Sequence, residues 1–146
     1  MDMKLSELMV EQVASGNVGV VTRMVADGAD VNLVDKTGWT ALIWLALEGQ
    51  CKPARILLEH GADANIKDEV GSTALSWAAY KGHVNFVRLL LEYGARIDER
   101  DNFGRTALMQ AERRGRVEVV QLLLAEDPSV NRTSKRQTEG SETGAA

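Results

Sequence analysis

The residues of this chain with the chemistry to catalyse or to bind a metal are few. There are two histidines, His60 and His83, one cysteine, Cys51, and a row of aspartates at 35, 68 and 101. A thiol nucleophile needs a base within hydrogen-bond reach, and a cysteine-rich zinc site needs several thiolates. One cysteine supplies no such zinc site. His60 stands before Gly61 and His83 after Gly82, positions that read as helix-end and packing residues. The three aspartates suggest a carboxylate row, but each opens a short polar stretch, "DKTG", "DEVG" or "DNFG". Side-chain oxygens of aspartate bond the backbone two residues on, so these read as turn-stabilising groups. There is no glycine-rich loop of phosphate-binding spacing. No nucleophile–base pair, metal set or cofactor loop can be assembled, so the chain is not expected to be an enzyme or to hold a cofactor or metal.

The spacing of the aspartates is itself the strongest signal. It is 33 residues, and Gly38, Gly71 and Gly104 keep the same period. So do Thr40, Thr73 and Thr106, each followed by Ala-Leu, and Gly16, Gly49, Gly82 and Gly115 extend it over four units. A period in this range marks a repeat architecture. Within one unit Thr40 is a good N-cap for a helix starting at Ala41, and Gly49 ends that helix after about eight residues. A second apolar series runs from Cys51 through Leu58 to the stop at Gly61, with Pro53 in its first turn, where a missing N–H costs little. Helices this short do not hold alone in water. Each helix pair must stack on its neighbours, which makes the chain a solenoid. The run "TALIWLAL" at 40–47 is then an inner helix sandwiched between repeats, and its all-round apolar character follows from burial on most sides. Cys51 shares a register with Val18, Val84 and Val117, which predicts a structural thiol in the apolar core. Trp44 and Trp77 sit in mid-helix and read as packing residues. Trp39 lies in the projecting turn, where no core is expected around it.

The stretches 35–67, 68–100 and 101–131 resemble the ankyrin-repeat family, with a degenerate first unit ending in "ASGNVGVVTRMVADGADVNLV". The resemblance implies an all-α solenoid of stacked helix-turn-helix units with projecting β-turn or hairpin loops. The ankyrin domain is expected over residues 1–131, as repeats at about 2–34, 35–67, 68–100 and 101–131, and a disordered tail over 132–146. The family's inner-helix signature is Thr-Pro-Leu-His. Here the proline is replaced by Ala41, Ala74 and Ala107, and the histidine by Ile43, Ser76 and Met109. Each lost proline forgoes roughly 0.4–1 kcal/mol of unfolded-state restriction, so stability below that of an idealised array is expected. Glu7, Glu11 and Gln12 in the first unit and Glu112 in the last suit solvent-facing caps. The resemblance also leaves hydroxylation of Asn32, Asn65 and Asn131 open. The "NRT" sequon at 131–133 is read as silent.

Charge and composition narrow the function. Net charge is −4, from 17 basic against 21 acidic residues, which disfavours a nucleic-acid partner. No stretch approaches the roughly 18 apolar residues of a membrane helix, and no signal peptide is visible, so neither membrane nor secretion is expected. One cysteine fits a reducing, cytoplasmic setting, with the nucleus also open.

The resemblance implies recognition of another protein through the concave face formed by turn tips and inner-helix residues. The expected contact residues are Trp39, Leu47, Val70, Tyr80, Lys81, Arg100, Phe103, Arg105, Arg113 and Arg114. The apolar members form a strip, and the arginines suit carboxylates, so a monomer binding a segment with apolar anchors and acidic residues is expected. Within that class, a small inhibitor of an enzyme such as a kinase, or a microbial protein acting on host targets, is the alternative.

Overall fold

The structure, a computed structural model, describes residues 8–13 and 15–127. Glu7, Asn131, the sequon and the tail at 132–146 lie outside the described residues. Among the described residues eight helices follow in chain order: α1 (8–13), α2 (Val18–Ala26), α3 (Ala41–Glu48), α4 (Cys51–Glu59), α5 (Ala74–Lys81), α6 (Val84–Glu92), α7 (Ala107–Arg113) and α8 (Val117–Glu126). They form two rows. Along the inner row α3 packs on α5 and α5 on α7. Along the outer row α2 packs on α4, α4 on α6 and α6 on α8.

The repeated threonines do what their position predicts. Thr40, Thr73 and Thr106 have extended backbones, and their hydroxyls accept the N–H of Ile43, Ser76 and Met109 at 3.2–3.3 Å. The cap therefore survives the loss of the family's proline and histidine. At the other end of α3, Gly49 takes the left-handed conformation at φ 74°, and a Cβ there would fall 2.6 Å from the His83 ring. Only glycine allows both the turn and the approach of the next repeat.

Burial confirms the sandwich. Ala41, Leu42, Ile43, Leu45 and Ala46 of α3 are all buried, as are the matching positions of α5. The outer helices present apolar faces from Ala54, Leu57 and Leu58, and from Phe86, Val87, Leu89 and Leu90. Cys51 departs from its predicted place. It is half-buried at the start of α4 and packs against the edge of the core rather than inside it. Its register partner Val117 is 64% exposed, so the first position of an outer helix is a rim position. Burial pushes the Cys51 thiol up, against the opposing charge of Arg55. A raised pKa keeps the thiol protonated and poorly nucleophilic.

Specific polar bonds tie each repeat to the next. His83 Nε2 lies 3.1 Å from the Leu47 carbonyl oxygen, the inter-repeat role its sequence position suggested. One repeat later, Arg116 Nε donates to the Tyr80 carbonyl at 3.2 Å. On the loop side, Asn32 donates to the Gly61 carbonyl and accepts the Asp63 N–H, and Asn65 does the same with Gly94 and Arg96. Each amide spends one donor and its oxygen on the backbone of the following repeat.

Candidate partner-binding face

The turns that project from the inner row are held by the three periodic aspartates. Asp35 Oδ1 accepts the backbone N–H of Thr37 and Trp39 and the Thr37 hydroxyl. Asp68 Oδ1 accepts the N–H of Val70 and Ser72, and Asp101 Oδ1 those of Phe103 and Arg105. The second carboxylate oxygen reaches the inner helix nine residues on. The Trp44 indole donates to Asp35 Oδ2 at 2.8 Å, Trp77 to Asp68 at 2.9 Å, and Gln110 to Asp101 at 3.4 Å. These carboxylates clamp each turn to its helix. Burial raises the Asp35 pKa, but hydrogen bonds from Thr37, the Trp44 indole and the backbone outweigh it and hold the carboxyl below its ordinary value.

The clamp aligns an aromatic ladder along the face. Trp39 stacks edge-on against Trp44, with centroids 4.6 Å apart, and lies 5.4 Å from the Trp77 ring. Trp77 meets Tyr80 edge-on at 6.0 Å, and the Arg114 guanidinium sits over Tyr80 at 4.7 Å. This corrects the sequence-based placement of Trp39. It is half-buried and packed against the core, because indoles of two inner helices rise to meet it. Trp44 and Trp77 are packing residues as expected, with the added task of donating to the clamp. The nine-residue Asp-to-Trp offset, present in two repeats, was the available signal for it.

Between α5 and α7 lies a groove of about 290 Å³. Five of the expected contact residues line it: Val70, Tyr80, Phe103, Arg105 and Arg113. Phe103 is 73% exposed at the turn tip, with the Arg105 guanidinium 5.4 Å over its ring. The remaining expected contact residues do not line it. Leu47 is half-buried and belongs to the preceding repeat, and Lys81 is exposed beside the groove without lining it. Arg100 does not join the other arginines. Its Nη1 donates to the Gly104 carbonyl at 2.8 Å, and it lines a separate crevice with Ile97, Leu108 and Leu123. Ser76 and Gln110 line the groove and were not among the expected contact residues.

Among the described residues no group of three or more histidine, cysteine or acidic side chains is placed to hold a metal ion, and no helix is long and apolar enough to cross a membrane. A family model described as ankyrin repeats (3 copies) matches residues 8–101 and again 61–134. No curated protein matches the chain.

Proposed function

The chain belongs to the ankyrin-repeat family, whose repeats are generally protein–protein interaction modules, and from that premise we propose that its concave face binds a segment of a partner protein. The observation that carries this reading is the pairing of exposed apolar tips with unpaired cations. Val70 and Phe103 stand exposed at adjacent turns. Arg105 and Arg113 line the groove between them and form no ion pair among the described residues. Aromatic residues and arginine are the side chains that most often dominate binding energy at interfaces. A partner with apolar anchors and acidic residues fits this face, with the arginines setting orientation and on-rate. On this reading the chain is a non-catalytic monomer that works inside the cell.

Affinity capture with the full chain, followed by calorimetric titration of the partner it recovers, tests the proposal. Reversing Arg105 and Arg113 to Glu is expected to weaken binding at least tenfold, on the order of 1.4 kcal/mol, and to remove its salt dependence. Equal affinity of wild type and double reversal at low salt would show that this face is not the binding surface.

A further inference from the structure

The groove has a floor that an apolar anchor does not satisfy. Ser72 and Ser76 are 6% and 7% exposed, yet both line the groove, and no described residue hydrogen-bonds to either hydroxyl. Neither oxygen is a fully enclosed, unsatisfied atom, so each keeps access to the groove. A partner that covered them with a hydrocarbon side chain would strand two hydroxyls, which is costly. Partner oxygens in the groove would accept from them.

Charge selects the oxygen. Arg105 and Arg113 border the same space with no carboxylate of their own. The single acid in the lining, Asp101, has both oxygens occupied by the Phe103 and Arg105 N–H groups and the Gln110 amide. Two guanidiniums against one carboxylate leave one positive charge. That complements one carboxylate seated in the groove, with Lys81 and the Arg114 guanidinium over the Tyr80 ring standing outside the lining. At about 290 Å³ the space is at the small end for a free ligand and suits one side chain.

We propose that this groove is a seat for a single aspartate or glutamate side chain of the partner, an assignment that rests on the partner-binding reading of this face. The Arg105 and Arg113 guanidiniums donate to the carboxylate from the walls, the Ser72 and Ser76 hydroxyls donate from the floor, and an apolar neighbour in the partner covers Phe103 and Val70. Arginine suits the wall positions because its planar fork matches a carboxylate.

The test uses the full chain, ¹⁵N-labelled, titrated with three end-blocked peptides: acetyl-Leu-Gly-Glu-amide and its glutamine and phosphoserine counterparts. The glutamate peptide is expected to shift the Nε–H signals of Arg105 and Arg113 and the amides of Ser72 and Ser76, and to bind at least tenfold tighter than the glutamine peptide at low salt. Arg113→Gln should abolish that preference and Arg113→Lys should keep part of it, with unchanged circular dichroism in both. Equal binding of the glutamate and glutamine peptides, with shifts confined to Trp39, Val70 and Phe103, would overturn the acid seat while leaving the face a peptide-binding one. Tenfold tighter binding of the phosphoserine peptide would overturn the carboxylate assignment in favour of phosphate. No shift on this face with any of the three peptides would overturn the seat outright, and the partner titration would then decide the broader reading on its own.

Discussion

The third and fourth repeats share their register aspartate, threonine, alanine and leucine in different surroundings. In the third, α5 is clasped by α3 on one side and α7 on the other, and Leu75 is 0% exposed. In the fourth, α7 packs on α5 but has no further inner helix beyond it among the described residues. Leu108, in the register of Leu75, is half-buried, and Met109 is exposed where Ile43 and Ser76 are buried. The clamp loosens in step. Trp77 donates to Asp68 at 2.9 Å, while Gln110 reaches Asp101 at 3.4 Å. In a solenoid a residue's contribution is set by how many neighbouring repeats touch it, so identical positions differ in energy.

The sharpest test of that contrast replaces one register leucine at a time. Leu75→Ala is expected to cost about 2–5 kcal/mol, and Leu108→Ala clearly less, because a half-buried site leaves a smaller cavity. Urea denaturation midpoints measure both, and equal losses would break the comparison. The helix-ending glycines come next. Gly115→Ala meets nothing within 4 Å and should cost only the left-handed backbone penalty, about 1–2 kcal/mol. Gly49→Ala should cost measurably more, since its Cβ must displace the His83 ring from the Leu47 carbonyl. If thermal melts put the two alanines level, the contact between repeats is too soft to matter.

Smaller effects probe the clamp. Trp77→Phe keeps most of the packing and removes the indole donor, so a loss of about 1 kcal/mol is expected, because half-burial lets water replace part of the bond. Gln110→Met should cost less than that, given its longer bond. Asp35 tests the clamp of the second repeat through pH. Its folded pKa lies below the ordinary 3.8, so its contribution is present above about pH 4 and is lost as pH falls through the folded value. Asp35→Asn should therefore flatten the acid limb of a stability–pH profile. An acid limb of undiminished slope in the variant would remove Asp35 from that role.

Much of this architecture was legible because its signals are local. A threonine caps the three residues after it, a left-handed glycine ends its own helix, and an aspartate bonds its own turn. Their 33-residue spacing then carries the stack. The surroundings of Trp39, Cys51 and Arg100 were hidden for a shared reason. Periodicity places a residue along the chain but does not say which side of the backbone its side chain leaves by, or how far a neighbour rises to cover it. Trp39 is covered by indoles from two inner helices, Cys51 slides to the rim, and Arg100 turns back to the Gly104 carbonyl. The proposed acid seat was out of reach for the same reason: nothing in the sequence shows that Ser76 of one repeat and Arg105 and Arg113 of the next line one groove.

The stacking of the inner row also makes the concave face a ruler. Packed helices lie roughly 8–10 Å apart, and an extended chain advances about 3.3 Å per residue, so one repeat corresponds to about three residues of an extended ligand. Three registers change character together along the row. Position 39 is tryptophan and its counterpart 105 arginine, Leu47 gives way to Tyr80 and then Arg113, and Trp44 and Trp77 give way to Gln110. The gradient has a direction, so a ligand lying along it has a preferred polarity. An apolar residue at the second repeat and an acidic one at the groove, about one and a half repeats away, would be separated by about four or five positions. Peptides with the same two residues in reversed order, or directly adjacent, should bind less tightly than the matched spacing.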